Sequence, residues 1–467
     1  MAPTAEPTAT PTPTPTPIPS PTLAATHDSL LPARILHRPA PVPPARPPLP
    51  SPLPSAAASV DSAGGPAGPA AEATRWDARQ WAVLFLLSAN MILDAIEVSL
   101  VLVALPSIGT ALGLGLWTVQ WLMSGFALGF AALLLLGPAL NARLGRKRVY
   151  LAAMLLFAAA SVGGGLTDSA WLLIATRVVK GLSAALTAPT GLAIIAATFR
   201  GGPQQRRAVS TYSLFGAAGF TVGLLLSGAL LTGSWRWTFL FPAPAALVLL
   251  VFGLRLIPPD QGRTPAPRIA PGLLRNGSLL RSAVGAATLN GTYQSLLLLL
   301  VFQTQRQLAW PPWQSALALL PACVPLAVTV PFAGAMTARW GTDRLIALGA
   351  ATPVLGYALY LWRPTTGSYL TGMLPTLLLV AAGFVLSFAA LNLQATGALP
   401  AAERAAAVPL YQTAVQLGAA AMLPVTARLL GSHHGYRPAL SFVTAVGAAG
   451  LLTALTGLRP THRQVAA

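Results

Sequence analysis

From Arg79 onward the chain is a succession of apolar segments, each long enough to cross a bilayer. They fall near 80–105, 117–138, 148–167, 170–198, 208–232, 236–257, 280–304, 313–336, 343–362, 369–396, 407–430 and 437–458. Lipid offers the backbone no hydrogen-bond partners, so a spanning segment must satisfy its own, and a run of this length does so as a helix. The pattern therefore predicts an all-α polytopic membrane protein with about twelve spans, each of about 20 residues. Composition agrees. Hydrophobic residues make up 54% of the 467 and charged residues 9%, where a soluble domain carries about 25% charged. A soluble enzyme, a nucleic-acid-binding module and a secreted disulfide scaffold are excluded. Cys323 is the lone cysteine and has no internal partner for a disulfide.

The formal net charge of +18 is explained by its placement. Arg143, Arg146, Lys147 and Arg148 lie between the second and third segments. Arg200, Arg206 and Arg207 lie between the fourth and fifth, and Arg255, Arg263, Arg268, Arg275 and Arg281 lie at the centre. The first intervening loop has no Lys or Arg, and the third carries only Asp168. Basic loops stay on the cytoplasmic side, so both termini are expected there, in a plasma membrane. The charge is an orientation signal, and nucleic acid is not an expected partner. Trp117, Trp121, Trp171, Trp235, Trp237, Trp310, Trp313 and Trp362 fall near the predicted outer ends, and Trp76, Trp81 and Trp340 near the inner ones. Indole favours the headgroup level.

Residues 1–75 are rich in Pro, Ala and Thr and are expected to be disordered. No basic stretch precedes a short apolar run there, so a secretory signal is not expected. The rest divides into an N-terminal six-helix bundle (76–257), a cytoplasmic linker (258–277), a C-terminal six-helix bundle (278–458) and a cytoplasmic tail (459–467). After the second segment of each half comes a similar phrase, NARLGRKR at 141–148 and TARWGTDR at 337–344. Duplication with pseudo-two-fold symmetry is the simplest account.

Charge inside a bilayer is expensive and usually functional. Four ionisable residues are well embedded: Asp94 and Glu97 in the first segment, Arg177 and Lys180 in the fourth. Each pair is three residues apart and so shares one helix face. Glu97, nine residues before Pro106, lies roughly 13 Å below the outer end, and Arg177, six past Trp171, about 9 Å below it. Two acids would face two bases if these helices touch. Burial favours the protonated form of a carboxyl and a nearby cation the ionised form, so such a group can carry a proton. The alternative is a static ion-pair network holding the two helices together. Asp94 is either a coupling group or an extra acid that recognises a cationic substrate. In the fifth segment Gly219, Gly223 and Ser227 have small-xxx-small spacing, followed by Gly228, which permits close helix approach. The second half has no clear embedded acid. Asn290, Tyr293, Gln294, Asn392, Gln394, Tyr411, Gln412 and Gln416 are candidates to line a polar cavity or to bond between helices. No nucleotide-binding, metal-cluster or catalytic-triad pattern stands out, so neither catalysis nor a cofactor is expected.

These residues resemble the major facilitator superfamily, in particular its drug:proton antiporter branch, over 80–458. EVSLVLVALPSI (97–108) resembles that branch's first-helix phrase, with Glu97 rather than Asp94 in the place of its acid. WTVQWLMSGFAL (117–128) resembles the start of its second helix. LNARLGRKRVYL (140–151) resembles the superfamily's cytoplasmic gate loop through Arg143, Gly145, Arg146, Lys147 and Arg148, with Ala142 in place of an Asp and Asn141 as a weak substitute. LLIATRVVKGLSAALTAP (172–189) resembles its fourth-helix motif, with Lys180 replacing Gln. Gly219, Gly223 and Gly228 match the fifth-helix antiporter motif, in which Leu224 replaces Pro and Ser227 replaces Gly. SWRWTFLFPAP (234–244) resembles a further phrase of the branch.

The resemblance implies two six-helix bundles rocking about a central cavity. It implies a proton-coupled antiporter exporting small amphipathic drugs, antibiotics or secondary metabolites, driven by the proton gradient. Glu97 would be the favoured coupling group, with Asp94, Arg177 and Lys180 assisting. An importer or uniporter, or a sensor that does not cycle, are the alternatives. The branch's fourteen helices are not expected, because the proline-rich linker cannot span. A monomer of bacterial origin is expected, with the substrate, protons and lipid as its partners.

Overall fold

The computed structural model describes residues 76–199, 202–258, 271–362, 368–397, 399–432 and 435–458. The expected disordered N-terminus, most of the linker and the C-terminal tail lie outside these residues.

Among the described residues eleven helices are long and apolar enough to span, and a bent pair makes a twelfth. In chain order they are α1 (Ala78–Ala111), α2 (Leu116–Leu134), α3 (Arg146–Leu166), α4 (Ala170–Thr198), α5 (Gln204–Leu230) and α6 (Trp237–Leu256). The second six are α7 (Gly277–Gln307), α8 (Pro312–Ala322 with Val324–Trp340), α9 (Thr342–Trp362), α10 (Met373–Gly397), α11 (Ala406–Leu430) and α12 (Tyr436–Thr456). The apolar segments fall on these helices. The eighth is not one rod: it bends by 40° at Cys323. Pro321, Pro325 and Pro331 cluster around the bend, and each removes a backbone donor from the helical ladder. Outward faces carry exposed Leu155, Leu156, Phe252, Leu348 and Leu355, a surface that belongs in lipid.

The two halves repeat one packing scheme. In the first, α1 packs on α5, α2 on α4, and α3 on α4 and α6. In the second, α7 packs on α11, α8 on α10, and α9 on α10 and α12. The repeated phrases adopt one geometry. A short helix, Gly137–Leu144 or Ala333–Trp340, stops at a glycine with positive φ, 90° at Gly145 and 76° at Gly341. Each glycine N–H donates to the carbonyl four residues back, Asn141 or Thr337, at 3.0 Å. A side chain at that φ would be strained.

Close crossings bind each half. A Cβ at Gly181 would sit 2.1 Å from the Phe126 carbonyl oxygen, and one at Gly129 2.2 Å from that of Val178, so α2 and α4 touch backbone to backbone. The halves join through α2 with α11, α5 with α8 and α1 with α7. They meet at the end away from the arginine-rich turns. There Leu100–Leu105 of α1 and Leu296–Val301 of α7 are wholly buried. Gln305 Nε2 donates to the Val103 carbonyl at 2.9 Å across this seam. One large apolar core runs through both halves, and a second, around Leu84, Tyr150, Phe157 and Phe199, belongs to the first half alone.

Candidate functional site

The embedded charges meet between α1 and α4. The α1 face presents Asn90, Asp94 and Glu97 at helical spacing, and α4 presents Arg177, Lys180 and Thr187. Glu97, Arg177 and Lys180 are all fully buried. Arg177 Nη1 donates to Glu97 Oε2 at 2.6 Å, and Lys180 Nζ donates to Oε1 at 2.7 Å. Both carboxylate oxygens are thus held by cations, an arrangement that repays part of the desolvation of the three charges. Arg177 also donates from Nε to the Leu122 carbonyl of α2 at 2.9 Å, and its guanidinium lies 4.6 Å from the centre of the Phe126 ring. Lys180 Nζ lies 5.1 Å from the Phe157 ring and 5.4 Å from Phe239. Aromatic faces attract cations where water is excluded. Phe239 reaches this position because Gly164 has no side chain: a Cβ there would sit 2.6 Å from the ring.

The expectation of two acids facing two bases is corrected here. Both bases go to Glu97. Asp94, one turn away, takes neutral donors: Thr187 Oγ1 at 3.0 Å and Asn90 Nδ2 at 3.1 Å, both to Oδ2. Asn90 and Thr187 were not legible as members of the site, since a Thr or Asn in a membrane helix is common and only the facing helix gives it a role. Glycines in α5 bring it against the same α1 segment. A Cβ at Gly219 would meet Ala95 Cβ at 2.7 Å, and one at Gly223 would meet Ser99 Oγ at 2.0 Å. Ser227 Oγ donates to the Leu100 carbonyl at 2.9 Å, and Gly228 faces Trp313 of the other half. In the second half Gly291 and Gly418 make the equivalent crossing: a Cβ at Gly418 would lie 2.1 Å from the Ala287 carbonyl oxygen.

The gate-loop candidates lie at the opposite end from the seam. Arg146 Nη1 donates to the Ala193 carbonyl at 3.1 Å, and Lys147 Nζ donates to the carbonyls of Leu254 and Ile257 at 2.8 and 2.9 Å. Arg143 and Arg148 are exposed on either side of Gly145. Asn141 hydrogen-bonds Thr190 of α4 at 2.9 Å. The second-half candidates do not form one cluster of hydrogen bonds. Asn290 Nδ2 donates to the Val415 carbonyl at 2.9 Å. Tyr293 is buried at the seam, its ring 4.5 Å from Phe384 and 6.1 Å from Phe220 of α5. Tyr411 is buried, and its hydroxyl and Gln294 Oε1 have no partner among the described residues. Asn392, Gln412 and Gln416 are half-buried. Gln394 instead bridges Ser282 and Asp343 near the first turn of α9.

A spanning bundle of paired six-helix halves, with its ionisable groups buried in one half, is the architecture of a membrane transporter. The family model of the Major Facilitator Superfamily matches residues 87–423, and the chain belongs to that superfamily. It is 26% identical to the lincomycin resistance protein of Streptomyces lincolnensis over 466 aligned positions, covering 85% of this chain and 94% of that protein. It is 35% identical to the puromycin resistance protein pur8 of Streptomyces alboniger, covering 42% and 40% respectively. The chain spans between 32% and 40% of the length of several curated relatives that it matches, pur8 among them. A crystal structure of a point mutant of the nucleoside transporter NupG shares the fold. Its TM-score is 0.67 at 11% identity, with 80% of this chain and 99% of that one covered.

Proposed function

We propose that the protein is a proton-coupled exporter of small amphipathic compounds such as drugs, antibiotics or secondary metabolites. The relatives support export: proteins named for resistance to lincomycin and puromycin match this chain, the first along most of its length. The observation that carries coupling is the buried α1–α4 site, where two carboxyls lie one turn apart and Arg177 and Lys180 hold one of them. Buried ionisable groups in a membrane are costly and mark ion or proton pathways. In the proposed orientation the arginine-rich turns and both termini face the cytoplasm of a bacterial cell, and the sealed seam faces outward. The conformation described is then closed on the outward side. Outward opening breaks the Gln305–Val103 contact while the α1–α5 and α7–α11 crossings move as parts of rigid halves.

Ethidium accumulation in a pump-deficient bacterium tests the proposal. Cells making the protein should hold less ethidium than control cells, and a proton uncoupler should abolish the difference. Equal accumulation across a panel of cationic and neutral dyes would overturn export. Export that persists after the uncoupler would overturn the coupling.

A further inference from the structure

Two acceptor atoms are left over on two side chains that already touch. Asn90 Nδ2 and Thr187 Oγ1 both donate to Asp94 Oδ2. Asp94 Oδ1 and Asn90 Oδ1 are buried and have no partner among the described residues. Asn90 is 1% exposed and Asp94 7%, so bulk water does not serve them. An ionised carboxylate and an amide carbonyl are acceptors only, and buried acceptors without donors are costly. A single hydrogen resolves both. A proton on Asp94 Oδ1 can donate to Asn90 Oδ1, and with the existing Nδ2–H···Oδ2 bond it closes a two-bond acid–amide ring.

Glu97 is arranged for the opposite state. Each of its oxygens accepts from a separate buried cation. Arg177 cannot give up its charge, and neutralising Glu97 would strand it, with Lys180, in a fully buried site. The surroundings of Asp94 admit either state. Arg177 and Lys180 on α4 outnumber Glu97 by one positive charge, which an ionised Asp94 balances, and Asn90 accommodates the protonated form. The other titratable neighbours of Asp94 are Tyr150 on α3, whose hydroxyl is buried without a partner among the described residues, and Tyr212 on α5, which donates to the Ala188 carbonyl.

We infer that the exchangeable proton of the cycle resides on Asp94 Oδ1, held by Asn90 as an acid–amide pair, while Glu97 stays ionised between Arg177 and Lys180. Uptake forms the Oδ1–H bond with a proton from water on the open side. Release breaks that bond, returns the proton to water on the other side and leaves the carboxylate on Asp94. Asn90 is a positioning residue, and Glu97 is the fixed anion that orients the two cations. The inference rests on the proposed proton coupling, but the protonation site is measurable without any substrate.

The test is infrared difference spectroscopy of the purified full-length protein in liposomes, titrated over the range in which it stays folded. A protonated buried carboxyl gives a C=O stretching band that an ionised one lacks. Wild type should develop this band as pH falls. Asp94→Asn, which mimics the protonated form, should abolish it. Glu97→Gln should retain it, and Asn90→Leu should shift it by removing the acceptor of the acid hydrogen, an effect that a purely structural role would not produce. A band that survives Asp94→Asn, or the absence of any band in wild type, overturns the assignment. Should Glu97→Gln fail to fold, Asp94→Asn decides alone. Ethidium accumulation in cells is a separate readout: wild type that never lowers ethidium overturns export, whatever the infrared result.

Discussion

Arg177 ties three helices together, and it does so with a geometry that lysine cannot reproduce. From α4 its Nη1 reaches Glu97 on α1 while Nε reaches the Leu122 carbonyl on α2. A planar fork serves two acceptors in fixed directions, whereas an ammonium is a point charge on a flexible stem. Arg177→Lys should therefore lose one of the two charged hydrogen bonds. The expected cost is about 1.5–3 kcal/mol, read as a lowered thermal unfolding midpoint in detergent, with transport impaired. Removing the fixed anion should be worse. Glu97→Gln leaves two cations without a counter-charge, and breaking a buried pair in this way costs about 3–5 kcal/mol. The sequence made these four residues conspicuous, since spacing placed each pair on one face and counting from Pro106 and Trp171 put the two pairs at overlapping depths. Spacing does not fix the rotation of one helix against another. That rotation sends both cations to Glu97 and leaves Asp94 to Thr187 and Asn90.

Glycines set the close spacing between helices, and their neighbours tell which of them matter. Gly223 faces the α1 backbone, with Ile96 Cα at 2.9 Å from the place of its missing Cβ and Ser99 Oγ at 2.0 Å. Gly223→Ala must push α1 from α5, which should cost about 1–3 kcal/mol and weaken transport. Gly418→Ala should act alike on α7 and α11, because the Ala287 backbone blocks it. Gly334→Ala, in the second rod of α8, meets nothing within 4 Å. That change should be neutral or stabilise by up to about 1 kcal/mol, the helix preference of Ala over Gly. Unfolding midpoints of the three variants check the contrast. The α1–α5 crossing was legible as small-xxx-small spacing. The α7–α11 crossing has the same spacing, Ala283–Ala287–Gly291 in α7 and Ala414–Gly418 in α11, but alanine-rich helices carry it at many positions and only the facing helix picks out this one. The other eleven spans were legible because length and apolarity are local properties. The bend in α8 was not, because Pro106, Pro189, Pro353 and Pro424 lie inside helices that run on unbroken, so proline alone does not mark a break.

For the whole molecule the distinguishing feature is the asymmetry of its two ends. The seam at Val103 and Gln305 is closed, and the first half keeps a separate core toward the arginine-rich turns. Cysteines placed at Val103 and Gln305 in a Cys323→Ser background, joined by a short reducible cross-linker, should arrest ethidium export, and reduction should restore it. Unimpeded export by the cross-linked protein would show that this seam does not open. The repeated phrases at Gly145 and Gly341 made the duplication of halves readable, because a positive-φ turn between helices needs glycine in both places. The state in which the halves are caught follows from contacts between residues some two hundred positions apart, to which no local pattern points.

The most direct test of proton-coupled export is ethidium movement in proteoliposomes with an imposed pH gradient and no other energy source. The account predicts that ethidium moves up its own gradient and opposite to the proton, that an uncoupler stops it, and that Asp94→Asn leaves only downhill exchange. Ethidium movement that ignores the pH gradient, or that runs in the same direction as the proton, would contradict it.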